Sequence, residues 1–148
     1  MMDNLLKLFA TFTGREAEAI KELKSSGSHR CYFRMSAGDI SLIGVAGTDT
    51  DEDKAFIEES RLFRSHGIKV PEVLAVGEDG NSYLQEDLGE ELLYDKVARG
   101  RASGCYSDEE SELLCKAMAG LPKIQYEGIR GLDLDVCYPD REFNGRMV

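Results

Sequence analysis

Apolar residues recur at the three- and four-residue spacing of an amphipathic helix in four segments of this sequence. The second segment follows consecutive carboxylates and ends with arginines and Gly67, which suits the helix dipole and its caps. The last begins with Ser107 and Glu110 at the spacing of a capping box. Helices are therefore predicted over residues 3–12, from the acidic run 49–53 to His66, over 92–97 and over 107–121.

Five shorter segments carry the alternation or the β-branched and aromatic residues of strands, with turn-forming residues between them. Asp79-Gly80 is a hairpin signal between the last two. Residues 100–104 and the tail from Gly128 predict loops. The strands are expected at 19–23, 30–35, 40–45, 73–77 and 82–86. The pattern predicts an α+β fold, with a five-stranded antiparallel sheet, one packed helix and an additional N-terminal helix.

Composition narrows the class of protein. The 148 residues are 42% apolar and 31% charged, which is typical of a globular protein and disfavours disorder. The net charge of −10 disfavours a nucleic-acid partner. No apolar run reaches membrane-spanning length and the N-terminus lacks the features of a signal peptide, so we expect a cytoplasmic protein with no membrane partner.

The usual metal and nucleotide motifs are missing from the sequence. Its four cysteines form no C-x-x-C pair and its two histidines lie far apart, which favours reduced structural thiols and no metal site. Neither a Gly-Lys phosphate loop nor a Rossmann glycine pattern occurs. Residues 49–53 resemble the start of a calcium loop, but Lys54 and Ser60 occupy its glycine and glutamate positions, so we interpret them as a helix start.

Three stretches, taken in order, resemble the N-terminal lobe of the aminoglycoside phosphotransferase and choline kinase family, and its bacterial sugar kinase branch in particular. They are Leu23 to Arg34, Phe56 to Leu74, and Tyr83 to Gly89. The resemblance covers roughly residues 20–97 and implies a protein-kinase-like N-lobe followed by the first helices of a truncated C-lobe. The domain limits it implies are 1–17 for the N-terminal helix, 18–86 for the nucleotide-binding lobe, 87–89 for a hinge, and 90–148 for the incomplete C-lobe.

The resemblance also implies a nucleotide site. In such kinases a small-residue loop covers the nucleotide phosphates with its backbone N–H groups. The corresponding residues here are Ser25, Ser26, Gly27 and Ser28, with Arg30 as a further phosphate contact; the alternative is an ordinary hairpin turn. The hinge that would bind adenine corresponds to Gln85, Glu86, Asp87 and Leu88, with a simple linker as the alternative. ATP and Mg²⁺ are the implied cofactors.

Two departures from the family pattern concern charged groups. The third strand usually supplies a phosphate-binding Lys that pairs with a Glu on the next helix, but Leu42 to Val45 contains no Lys and Phe56 occupies the Glu position. The catalytic loop is also missing, because no His or Arg stands suitably before an Asp. Asp133, Asp135 and Asp140 are therefore interpreted as loop carboxylates.

We expect the ATP-binding portion of a small-molecule phosphotransferase, with a sugar as the acceptor, that ends before its catalytic loop and is inactive alone. Its expected partners are a nucleotide and the missing C-terminal lobe, or a second copy through a homodimer or segment swap. One alternative is a non-catalytic binding or regulatory module that acts through protein contacts. Another is an unrelated α+β domain.

Overall fold

The computed structural model describes residues 1–24 and 29–140. The predicted phosphate loop, residues 25–28, lies outside the described residues, as does the end of the chain from residue 141. Two compact units divide the chain, one formed by Met1–Asp87 with Gly131–Val148, the other by Leu88–Arg130. The boundary between the two units, between Asp87 and Leu88, falls inside the expected hinge at residues 87–89. The domain limits 1–17, 18–86, 87–89 and 90–148 stay a prediction.

The first unit contains two long helices and the expected five-stranded antiparallel sheet. The strand order is β1-β2-β3-β5-β4, and every neighbouring pair is antiparallel. In chain order the elements are α1 (Met2–Thr13), β1 (Ala19–Leu23), β2 (Cys31–Ala37), β3 (Ile40–Ala46), α2 (Thr50–Ser65), β4 (Val73–Val76) and β5 (Ser82–Glu86). The α+β fold class and the antiparallel sheet are thus confirmed.

Helix α1 covers one face of the sheet. Leu5 and Phe9 are fully buried against side chains of β2, β3 and β5, including Met35 and Leu84. Gly44 of β3 permits this close approach, because a Cβ there would press on the Met35 sulfur and the Leu5 side chain. The N-terminal helix is therefore part of the core, and the expectation of one packed helix is corrected to two.

Helix α2 covers the opposite face. Ile57 packs with Ile43 and Val45 of β3 and with Tyr83 of β5, all buried. Successive residues of a strand point to opposite faces, so β3 and β5 each contribute side chains to both clusters. The helix begins as the acidic run predicts, because the Asp49 side chain accepts hydrogen bonds from the backbone N–H groups of Asp51 and Glu52.

The second unit is helical. Its elements are α3 (Leu93–Lys96), α4 (Ala98–Ser103), α5 (Asp108–Pro122), and a single π-helical segment at Lys123–Gly128. The predicted capping box is present at Ser107 and Glu110. The prediction of a loop at 100–104 is wrong, since α4 extends to Ser103 and Gly104 is its C-cap. The Gly100 backbone N–H donates a hydrogen bond of 3.0 Å to the Glu110 carboxylate, which helps to hold this segment in place.

The tail returns to the first unit within its described residues. A short 3₁₀ helix, Leu134–Val136, contacts α2, and the Tyr138 hydroxyl donates a hydrogen bond of 3.0 Å to the Asp49 carboxylate. The pKa of Asp49 is held below its ordinary value mainly by the hydrogen bond from the Glu52 backbone N–H, and next by the one from Tyr138. Residues 131–140 are therefore anchored at the start of α2.

Two phenylalanines of α1 test whether this helix belongs to the core. Phe9 is 0% exposed and Phe12 is 47% exposed. Phe9→Ala should lower the free energy of unfolding by about 3–5 kcal/mol, because it leaves a cavity against the sheet. Phe12→Ala, the matched control, should cost under about 1 kcal/mol. Urea denaturation followed by circular dichroism measures both, and equal losses would contradict the packing of α1.

Candidate functional site

Arg30 stands at the start of β2, two residues after the predicted phosphate loop, and its guanidinium is held by two carboxylates of α2. Its Nε lies 2.9 Å from Asp53 Oδ1, and its Nη2 lies 3.0 Å from Glu52 Oε1. The same Nη2 donates a hydrogen bond of 3.0 Å to the Glu52 carbonyl. Arg30, the residue before β2, is therefore tied to the first turns of α2. Its predicted phosphate contact stays a prediction.

Aromatic rings extend this contact toward the middle of the sheet. The Arg30 guanidinium lies 5.0 Å from the centre of the Phe56 ring, within the range of a cation–π interaction. Phe56 in turn stacks on Tyr83, with ring centres 5.5 Å apart. Phe56 therefore links the Arg30 guanidinium to the buried Tyr83 ring.

Asp53 is the carboxylate that sequence reasoning missed. It is 0% exposed and lies directly over Gly47, where a Cβ would collide with its carboxylate. Burial raises the pKa of Asp53 above its ordinary value, and the nearby Arg30 charge offsets only part of that effect. Among the described residues, neither Asp53 oxygen has a hydrogen-bond partner, so the 2.9 Å approach of Arg30 Nε to Oδ1 is an ion pair without hydrogen-bond geometry. The sequence feature that could have indicated this buried carboxylate is Gly47, because a glycine there leaves room for a side chain from α2.

The predicted hinge contains a second, separate ion pair. Asp87 accepts two hydrogen bonds from Arg34 of β2, from Nε at 2.7 Å and from Nη2 at 2.9 Å. The Ser41 hydroxyl donates a third, at 2.6 Å. This bidentate geometry is the strong form of an Arg–carboxylate pair, so the Asp87 side chain fastens the end of β5 to β2 and β3.

The other predicted hinge residues differ in exposure. Gln85 is paired with Ile43 and Val73 in the sheet, and its side-chain Oε1 is buried without a hydrogen-bond partner in the described part of the chain. The Glu86 backbone N–H donates to the Glu72 carbonyl at 2.9 Å. Leu88 is largely exposed. No contact with adenine is tested by these observations, and the adenine-binding role stays a prediction.

The two ion pairs lie on the same face of the sheet. Arg30 and Arg34 are four residues apart, so their side chains leave β2 on the same side, the side that α2 covers. Four residues of strand extend about 13 Å. Arg30 and the Arg34–Asp87 pair therefore lie on the same face of the sheet and are separated along β2.

The acidic residues in the described part of the chain form no cluster of metal ligands. The 1–24 and 29–140 segments contain no group of three His, Cys, Asp or Glu side chains that could hold an ion. Asp133 caps the short 3₁₀ helix, where it accepts a hydrogen bond of 3.0 Å from the Asp135 backbone. A site that holds Mg²⁺ by a cluster of protein ligands alone is therefore not present among these residues. No helix in the described part of the chain has the length and apolar character needed to cross a bilayer.

The arrangement is that of a five-stranded antiparallel sheet with a helix over the face that carries the Arg30 and Arg34 ion pairs. No protein-family model matches the chain. A curated N-acetylmuramate/N-acetylglucosamine kinase of Pseudomonas aeruginosa is 30% identical over 106 residues. The match covers 71% of this chain and 30% of that kinase, so the chain matches less than a third of the relative's length. The chain is therefore similar to a sugar kinase.

The Arg34–Asp87 pair can be tested by removing its carboxylate. Asp87→Ala should lower the free energy of unfolding by about 3 kcal/mol, because it leaves a mostly buried guanidinium without its counter-charge. Asp39→Ala is the matched control; Asp39 also faces an arginine, Arg15 at 3.5 Å, but its side chain is 92% exposed. The control should cost under about 1 kcal/mol. Chemical denaturation measures the free energy of unfolding of both variants. Equal losses in the two would show that the Arg34–Asp87 pair contributes no more than a surface contact.

Proposed function

We propose that this chain is the ATP-binding portion of a small-molecule phosphotransferase that acts on a sugar hydroxyl. In the complete reaction the γ-phosphoryl group of ATP passes to the hydroxyl and ADP is released. The proposal places the phosphates at Ser25, Ser26, Gly27, Ser28 and Arg30, and the adenine at residues 85–88. It is supported by the similarity to a kinase whose name states that it acts on N-acetylmuramate and N-acetylglucosamine.

The single observation that carries the proposal is the placement of Arg30 and Asp87 on one face of the sheet. A nucleotide is an elongated ligand with a flat base at one end and anionic groups at the other. Arg30 and Arg34, the partner of Asp87, are separated along the strand by about 13 Å, a distance of the order that an extended nucleoside triphosphate spans. Their spacing on one face supports the proposal of a site whose two ends match the two ends of ATP.

Phosphoryl transfer requires an Asp that orients the acceptor hydroxyl and acidic or amide side chains that hold Mg²⁺. In this sequence no His or Arg stands suitably before an Asp to open a catalytic loop of the kind that the resemblance implies. Among the described residues, no three His, Cys, Asp or Glu side chains form a group that could hold a metal ion. We infer that this chain by itself binds nucleotide and transfers no phosphoryl group, and no step of the reaction is assigned to its residues.

Nucleotide binding and turnover test the two parts separately. Titration calorimetry with ATP in magnesium buffer should give a dissociation constant of about 1 mM or tighter. Gly27→Val should weaken it by about tenfold, since a branched side chain blocks close approach of phosphate to the backbone. A coupled assay with N-acetylmuramate should detect no sugar-dependent ADP formation. Absent ATP binding would refute the binding role, and measurable turnover would refute the inactivity.

A second candidate function, a binding or regulatory module that acts through protein contacts, is favoured by the surface of the second unit. Among its described residues, Val97 is the one buried large apolar side chain. Patches of exposed apolar residues mark interaction surfaces in soluble proteins. The exposed large apolar residues of this unit are Leu88, Leu92, Leu93, Tyr94, Tyr106, Leu113, Met118, Leu121, Tyr126 and Ile129.

Light scattering distinguishes this second function. The chain should associate as its concentration rises, and Leu121→Glu should shift it toward the monomer because a charge cannot be buried in an apolar contact without a partner. Ile20→Glu is the control, since Ile20 is 41% exposed and Leu121 is 45% exposed but Ile20 belongs to the first unit. A strict monomer at high concentration, or equal effects of both variants, would count against association through this surface.

A further inference from the structure

The two edge strands of the sheet differ in how they resist pairing with another strand. At one edge, β1 exposes the charged side chains of Lys21 and Glu22, which oppose such pairing. At the other edge, β4 contains no charged residue, and its outer side pairs with no strand among the described residues. A bulge between Val73 and Ala75 interrupts the first half of β4. The second half, which ends at Val76, is therefore the less protected edge.

Val76 is the residue of β4 that is best placed for contact with another molecule. The Gly77 N–H donates a hydrogen bond of 2.7 Å to the Ser82 carbonyl beside it. Successive residues of an antiparallel strand direct their backbone groups to alternate sides, so Val76 directs its own N–H and C=O away from β5. Its side chain is 37% exposed and lines two grooves, one of about 470 Å³ beside α1 and one of about 330 Å³ beside α2.

The face of α2 that lines the smaller groove carries charges of alternating sign. In chain order they are Asp51, Lys54, Glu58 and Arg61. The order negative, positive, negative, positive is reversed in sign when it is read from the other end. An identical helix that packs antiparallel to this face therefore brings Arg61 of the second copy to Asp51, and Glu58 of the second copy to Lys54.

Within one chain these charges are poorly matched. Arg61 approaches Glu58 only to 3.8 Å, and about half of each side chain is exposed. In the described part of the chain Asp51 and Lys54 form no ion pair. The alternating charges on this face of α2 are thus available to a second copy.

We propose that two copies of this chain associate through their β4 edges around a two-fold axis. Val76 exchanges a pair of backbone hydrogen bonds with Val76 of the second copy, and the two α2 helices pack antiparallel with their charges in reciprocal pairs. The charge pattern is centred next to Ile57, which lines the same groove as Val76, so one axis serves both contacts. This interface differs from the apolar surface of the second unit and does not depend on the nucleotide role.

Complementary charge reversals test the α2 contact. Lys54→Glu with Arg61→Glu makes the face wholly acidic, and Asp51→Lys with Glu58→Lys makes it wholly basic. Each double variant alone should raise the dimer dissociation constant by about tenfold or more, because like charges then face each other. An equimolar mixture of the two should restore association, since an acidic face then meets a basic one. Analytical ultracentrifugation measures all of these.

Two further features make the measurement specific. All variants are made in the Leu121→Glu background, which removes association through the second unit. Arg15→Glu with Lys24→Glu is the matched control for the acidic variant; these residues are exposed and flank β1 in sequence, and their reversal changes the net charge equally. This control should leave the dissociation constant within about twofold.

Val76→Pro tests the strand contact by a separate route. Proline removes the N–H that points away from β5 and is tolerated on an edge strand, so the pairing of β4 with β5 is kept. It should also raise the dissociation constant by about tenfold, because the reciprocal hydrogen bonds are lost from both copies. Should a charge variant not fold by circular dichroism, Val76→Pro decides, and an unchanged dissociation constant overturns the proposal.

The remaining outcomes also decide. A Leu121→Glu chain that sediments as a monomer at high concentration overturns association through β4. Acidic and basic variants that associate as well as the control chain overturn it too. If each variant is monomeric and their mixture stays monomeric, the reciprocal pairing is wrong and the proposal fails. Recovery of the dimer in the mixture alone is the expected result.

Discussion

Burial of the middle strands β3 and β5 on both faces is the constraint on which the rest of the first unit depends. Val45 and Tyr83 lie beneath α2, whereas their neighbours Ala46 and Leu84 lie beneath α1. A charged side chain that enters either covered region must therefore bring its own counter-charge into a space that excludes water. Arg30 and Arg34 both leave β2 on the α2 side, and the Asp53 and Asp87 carboxylates that face them follow from this requirement.

Local patterns predict most of the fold because strands and capped helices have short-range signals. Residues 19–23 and 82–86 are strands with the predicted limits, and the Ser107–Glu110 capping box forms as its spacing indicates. The segment that begins at Gly100 is misjudged, since its two glycines, at positions 100 and 104, favour a loop. Its helix depends on contacts with Tyr106 and Glu110, which no local pattern reveals. Packing of α1 on the sheet is equally non-local.

The candidate site is less accessible to sequence reasoning than the fold. The hinge prediction concerned backbone groups of residues 85–88, whereas the structure shows a structural role for the Asp87 side chain. Arg30 is a candidate because it follows the predicted loop in sequence, but the sequence does not indicate which carboxylate of the acidic run at 49–53 pairs with it. The face that α2 presents to the sheet selects Asp53, and that choice depends on tertiary packing. The sequence similarity to a sugar kinase adds a chemical class to this geometry and supports the nucleotide role as a proposal.

The enclosure of Asp53 over Gly47 has a consequence for how sequences related to this one can diverge. Any side chain at position 47 occupies the volume of the Asp53 carboxylate, so the two positions cannot vary independently. A relative with alanine or a larger residue at 47 must carry a shorter or differently directed residue at 53, and its arginine at 30 then needs another anion or must itself change. Positions 30, 47 and 53 should therefore be substituted as a set, a correlation that arises from shared volume and shared charge together.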